Sequence, residues 1–154
     1  MDVFISHASK DAALAMRIEQ SLEENGLTAW LDRSEIRLGV LLRNELETAI
    51  KDSRTLILLW SKAAAQSRWV KAEVLTAFHR NKFILVVARD SAPLPYFLQN
   101  TIYLHLRRRD SGWITRLCRA VRESPKNANE LLPIMSSQSL EFQQTVQRIA
   151  EGQM

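Results

Sequence analysis

The chain is short of the residues from which several kinds of site are built. Cys118 is the only cysteine in 154 residues, so no internal disulfide framework can form, and it reads as a small apolar packing residue. His7, His79 and His105 are scattered, and with a single cysteine they offer no metal-ligand spacing. The four glycines, Gly26, Gly39, Gly112 and Gly152, stand too far apart to form a G-x-G-x-x-G turn or a P-loop. No apolar run reaches the roughly eighteen residues a membrane helix needs, and the N-terminus lacks a charged stretch followed by an apolar one. Neither a membrane span nor a signal peptide is expected, and the chain reads as cytoplasmic.

What is present suits one globular domain, since 46% hydrophobic residues are enough for a proper core. The formal charge of +4 is a modest excess, and much of it is local: Arg107, Arg108 and Arg109, followed by Arg116, Arg119 and Arg122. Aromatic residues do not interleave with these arginines as a stacking platform would require. The cluster reads as a solvated helix face or a protein contact, and nucleic-acid binding is not expected.

Along the chain, short apolar runs alternate with helical spacing. Residues 2–6 read as a buried first strand, with Ser9 expected to cap the next helix and Asp11 to suit its positive first turn. Leu14, Ile18 and Leu22 form an apolar stripe that Gly26 closes. Residues 27–31 are a second strand ending at Asp32; a polar loop runs to Gly39, and residues 40–50 are helical. Further strands are expected at 55–60, 83–88 and 101–106. Pro93 and Pro95 leave the helix between the last two short or missing. Trp113, Ile114, Leu117, Cys118 and Val121 mark an amphipathic helix, after which 124–130 read as a linker and 140–150 as one more helix.

Strands alternating with helices predict an α/β fold with a parallel sheet covered on both faces. Five such strands fit a flavodoxin-like order, 2-1-3-4-5, whose ligand crevice lies at the carboxyl ends of the first and third strands. Three polar clusters would border it: Ser6, His7 and Lys10 after the first strand, Asp32 and Arg33 after the second, and Ser61 with the segment 67–80 after the third. Ser67 suits the N-cap of that last helix. Trp69 and Glu73, four residues apart, would lie one above the other on a single face of it. Taken alone, such a Glu is ordinarily solvated and such a Trp ordinarily anchors a core. Equally, a polar turn and helix caps account for Ser6, His7, Lys10 and Ser61, and a loop residue for Asp32.

The stretch from Asp2 through Ser6 to Asp11, the Trp30-Leu31-Asp32 segment with its loop through Ile36 and Gly39, and the Ser67-x-Trp69-x-x-x-Glu73 box resemble the three signature boxes of Toll/interleukin-1 receptor (TIR) domains, particularly bacterial ones. The match covers residues 1–123, leaving 124–154 as the linker and terminal helix. The resemblance implies one of two functions. Some members are adaptors that assemble through their loops; others cleave the bond between nicotinamide and ribose in NAD+. Enzymatic members carry a glutamate in the third box, and Glu73 occupies that position. It is expected to stabilise the positive charge that develops on the ribose, with Trp69 shaping the pocket. NAD+ would be a substrate rather than a redox cofactor, in keeping with the absence of a glycine-rich fingerprint.

In the same family the loop after the second strand mediates assembly and can lie over a neighbour's site. Arg37, Gly39, Val40 and Leu41 fall there, so homotypic self-association is expected, triggered by a fused or separate sensor module. Val40, Leu41 and Leu42 make the turn more apolar than in many bacterial members. The leading expectation is a bacterial NAD+-cleaving effector of antiphage defence or cell death. The alternative is a non-enzymatic scaffold, including one that interferes with host signalling. A phosphoacceptor receiver domain, which shares the sheet order, would need an acidic cluster after the first strand and an Asp after the third. Ser6, His7, Ser61 and Lys62 stand there instead.

Overall fold

A computed structural model describes residues 1–31, 40–99, 103–106 and 112–124, with backbone alone for 40–44 and 103. Asp32, Arg33, Arg37 and Gly39 lie outside the described residues, as do the linker beyond Ser124 and the helix expected at 140–150. Five strands, β1 (Val3–Ser6), β2 (Ala29–Leu31), β3 (Thr55–Trp60), β4 (Phe83–Ala88) and β5 (Tyr103–His105), form one sheet in the order β2-β1-β3-β4-β5. Every pairing is parallel, as the alternating pattern predicts, and β1 sits between β2 and β3 with Phe4 opposite both Trp30 and Leu56.

The strands are apolar throughout because both faces are buried, and the two-residue alternation of side chains divides them between two cores. Val3, Ile5, Ile57, Leu59, Leu85 and Val87 point to one face, where Ile18 and Leu22 of α1 (Ala12–Glu24) and Trp113, Leu117 and Val121 of α5 (Trp113–Arg122) cover them. Phe4, Leu56, Leu58, Trp60, Ile84 and Val86 point to the other. There they meet Leu46 and Ile50 of α2 (Val40–Asp52), Ala64 of α3 (Lys62–Ala65) and Val70 and Val74 of α4 (Arg68–His79). Cys118 packs in the first of these cores, and burial pushes its thiol pKa up.

Local chemistry sets where the helices stop and start. Gly26, at φ 78°, ends α1: its own amide bonds the Glu23 carbonyl and the Leu27 amide reaches back to Leu22 over 2.9 Å, the paired bonds of a Schellman turn. That turn uses up Leu27, so β2 is shorter than the run 27–31 suggests. Ser67 caps α4, its hydroxyl accepting from the Val70 amide at 3.2 Å. Between β4 and β5 the two prolines leave only a 3₁₀ turn, Tyr96–Leu98, among the described residues.

The start of α1 departs from expectation. Ser9 opens a 3₁₀ turn, Ser9–Asp11, and the helix begins only at Ala12, with no side-chain cap. Nor does Asp11 face solvent near the helix terminus. Its carboxylate turns inward, for reasons given below. No helix among the described residues is long and apolar enough to cross a membrane.

Candidate active site at the carboxyl end of the sheet

The sheet order reverses between β1 and β3, so the loops leaving these two neighbouring strands diverge to opposite faces and open a crevice. Ser6, the last residue of β1, lies at this point and is fully buried. From the β3 side, α3 and then α4 run back along the sheet and bring Glu73 over the end of β1. The Ser6 hydroxyl donates to Glu73 Oε1 at 3.1 Å. Glu73 is 2% exposed, so the ordinary solvated position of a glutamate in a second helical turn does not hold here. A carboxylate this deep is costly to desolvate unless hydrogen bonds offset the loss, and the Ser6 hydroxyl supplies one of them.

Beside Glu73 a cleft of about 560 Å³ opens between two helices. Leu46, Glu47 and Ile50 of α2 form one wall; Arg68, Trp69, Ala72, Glu73 and Thr76 of α4 form the other. This volume lies within the range typical of small-molecule sites, and the lining combines apolar walls with a few charged groups. Trp69 is half-buried and does two things at once: it packs against the α2/α4 core and presents part of its ring to the cleft. The four-residue spacing of Trp69 and Glu73 thus places ring and carboxylate on one wall.

The other expected site residues divide. His7 is buried next to Ser6 but does not line the cleft, and Lys10 is exposed on the 3₁₀ turn. Ser61 belongs to a separate cluster. Its hydroxyl accepts from the Ala64 amide at 3.1 Å, capping α3, and donates to Asp11 Oδ2. Asp11, 2% exposed, also accepts from Arg89 Nη1 at 2.7 Å. This carboxylate ties together the segments that follow β1, β3 and β4. Next to it, Asp90 accepts from the amides of Lys62 and Ala92, at 3.0 and 2.9 Å, and these bonds, the one from Lys62 foremost, hold its pKa below the usual carboxylate value.

Sequence reasoning missed Asp11, Arg89 and the α2 wall. Ala72 and Thr76 could have been found, since each is three residues from Trp69 or Glu73 and so near the same helical face. Leu46, Glu47 and Ile50 required knowing that α2 packs beside α4. Among the described residues, no group of three His, Cys, Asp or Glu side chains is placed to hold a metal ion.

Comparison with known proteins agrees with this fold. The chain is 26% identical over 93 residues to the probable 2′ cyclic ADP-D-ribose synthase TcpO of Methanobrevibacter olleyae, and 34% identical over 74 residues to the NAD(+) hydrolase TcpA of a Theionarchaea archaeon. These matches cover 58% and 47% of the chain but only 27% and 22% of the relatives, so the chain spans about a quarter of their length. Among solved structures, the TIR domain of the Toll-related receptor TRR-2 from Hydra magnipapillata shares the fold, with a TM-score of 0.68 at 21% identity, covering 79% of this chain and 98% of that one. A family model described as "TIR domain" matches residues 3–120. Since that span runs from β1 into α5 and takes in both Ser6 and Glu73, this protein belongs to the TIR domain family.

Proposed function

We propose that this protein cleaves the bond between nicotinamide and ribose in NAD+, with Glu73 as the catalytic carboxylate. The observation that carries this reading is the placement of Glu73: buried at the end of β1, bonded by Ser6, and lining a cleft large enough for part of a dinucleotide. The relatives' names, one a hydrolase of NAD+ and another a synthase of cyclic ADP-ribose, support the same substrate.

One carboxylate suffices for this chemistry. Ordinary glycosidases use two, one of them to protonate a leaving oxygen. Nicotinamide is attached as a pyridinium; when the C1′–N bond breaks, the electron pair moves to nitrogen and the base departs neutral, so no general acid is needed. The ribose is left with oxocarbenium character. A fixed carboxylate beside it, itself buried, accepts hydrogen bonds from the ribose hydroxyls and stabilises that charge. Water, or a nucleophile within the substrate itself, then bonds to C1′ and loses a proton, giving linear or cyclic ADP-ribose. Trp69 shapes the pocket and offers a face for ring stacking. NAD+ is consumed and no resident cofactor is required.

By family resemblance, activity depends on self-association through the loop that includes Arg37 and Gly39 and the start of α2, Val40 and Leu41, that follows it, with Asp32 and Arg33 flanking the site. The setting we propose is a cytoplasmic effector of bacterial antiphage immunity or cell death, switched on by a sensor module. The second reading, a scaffold that signals by contact alone, draws on the exposed apolar side chains Leu75, Phe78 and Tyr96 on α4 and the 3₁₀ turn beside it. The deciding experiment measures nicotinamide release from NAD+ by the protein and by Glu73→Ala, at high concentration and clustered on beads. Release by the parent, reduced at least about a hundredfold in the variant, supports the enzyme. No release by either under clustering overturns it in favour of the scaffold.

A further inference from the structure

We infer that Arg68 is the anion-binding residue of the cleft and selects substrates that carry a diphosphate; this rests on the reading of Glu73 as the catalytic carboxylate. Arg68 and Glu73 line the same cleft but sit at opposite depths, the guanidinium exposed and the carboxylate buried. Five residues of helix separate them, which is roughly 7.5 Å along the axis. If the glycosidic bond is held at Glu73, the ribose points its C5′ substituent toward the open end. In a dinucleotide that substituent is the diphosphate, a short covalent path from the carbon that reacts. Arg68 is the exposed cation on the same wall of the cleft.

Its surroundings leave the guanidinium available. Among the described residues the Arg68 side chain makes no hydrogen bond or ion pair, and Glu47 on the facing wall does not pair with it. A planar guanidinium of this kind can take two phosphate oxygens at once, a geometry a lysine ammonium cannot reproduce. The cleft then holds a dinucleotide at two points: the carboxylate below at the nicotinamide ribose, the cation above at the diphosphate. Nucleosides of nicotinamide, which carry no phosphate, would reach Glu73 without the second point of attachment.

The test compares the full chain with Arg68→Ala and Arg68→Lys on two substrates with the same scissile bond, NAD+ and nicotinamide riboside, and measures binding of ADP-ribose by calorimetry. Arg68 is exposed, and unchanged melting temperatures confirm that the variants fold. For Arg68→Ala the expected result is a KM for NAD+ raised about tenfold or more, little change in kcat, a distinctly smaller loss on nicotinamide riboside than on NAD+, and ADP-ribose affinity weakened by a factor similar to that for KM, with Arg68→Lys between. Equal losses on both substrates, or an unchanged KM and ADP-ribose affinity, overturn the inference. ADP-ribose binding that depends on Arg68 without nicotinamide release sinks the glycosidase reading alone; release with a KM indifferent to Arg68 sinks this inference alone.

Discussion

Ser6 and Glu73 are 67 residues apart in the chain and joined by a buried hydrogen bond of 3.1 Å, hydroxyl to carboxylate, at the carboxyl end of β1. One partner ends β1 and the other lies in the second turn of α4, so the bond fixes the glutamate against the sheet and not merely along its own helix. Ser6→Ala is expected to loosen the carboxylate without removing it. A hydrogen bond to a charged group contributes about 1.5–3 kcal/mol, so nicotinamide release should fall roughly tenfold or more, chiefly in kcat. Steady-state kinetics beside Glu73→Ala check this: a Ser6→Ala enzyme with full kcat would show that the bond is structural only.

The Asp11 cluster makes a different prediction, about stability. Asp11 accepts from Ser61 and Arg89 while nearly fully buried, whereas the Arg89 side chain is 50% exposed. The exposed partner screens part of the ion pair, and the larger share of the effect comes from the buried acceptor and the Ser61 hydroxyl it satisfies. Asp11→Ala is expected to cost about 2 kcal/mol, a drop in Tm of roughly 4–8 °C for a domain of this size, and Arg89→Ala distinctly less. Thermal denaturation of the two variants checks the order; a larger loss for Arg89→Ala would contradict it.

The contrast between these two clusters shows what the sequence could disclose. β3 and β4 occupy the residues expected of them, 55–60 and 83–88, because burial on both faces leaves unbroken apolar runs. The Ser67 cap was legible because a cap and its helix are adjacent in the chain. The pairing of Trp69 with Glu73 in one cleft followed from helical spacing once the sheet order was inferred. Asp11 was not legible: its partners lie 50 and 78 residues away, and nothing local separates a carboxylate facing solvent at a helix start from one turned inside. The α2 wall of the cleft was hidden for the same reason, since Leu46 and Ile50 show only an apolar stripe until the neighbouring helix is known.

Asp90 gives the protein a measurable acid limb. In the folded state the Lys62 and Ala92 amides favour its charged form and set its pKa below the ordinary 3.8. Near and below that pH the unfolded chain therefore binds more protons than the folded one, so the stabilisation is complete above the unfolded value and is lost as pH falls through the lowered folded value. Asp2, lowered chiefly by the Thr28 amide, acts in the same sense. Denaturant midpoints measured from pH 6 down to pH 2 should fall, and the fall should be shallower in Asp90→Asn. An identical slope in the variant would assign the acid limb to other carboxylates.

Self-association has a test that separates it from simple crowding. If the loop of one copy covers the active site of the next, each working site draws its carboxylate and its loop from different molecules. Leu41→Glu places a charge in the apolar first turn of α2, where that loop ends, while leaving Glu73 intact, and Glu73→Ala does the reverse. Alone, each variant is expected to release nicotinamide at least about tenfold more slowly than the parent. Mixed at high concentration, they can form junctions in which an intact loop from the Glu73→Ala copy meets an intact carboxylate from the Leu41→Glu copy. Activity should then rise above the sum of the two variants and grow faster than in proportion to concentration. A mixture no more active than its components would mean that each chain completes its own site, and the dependence on assembly would have to be given up.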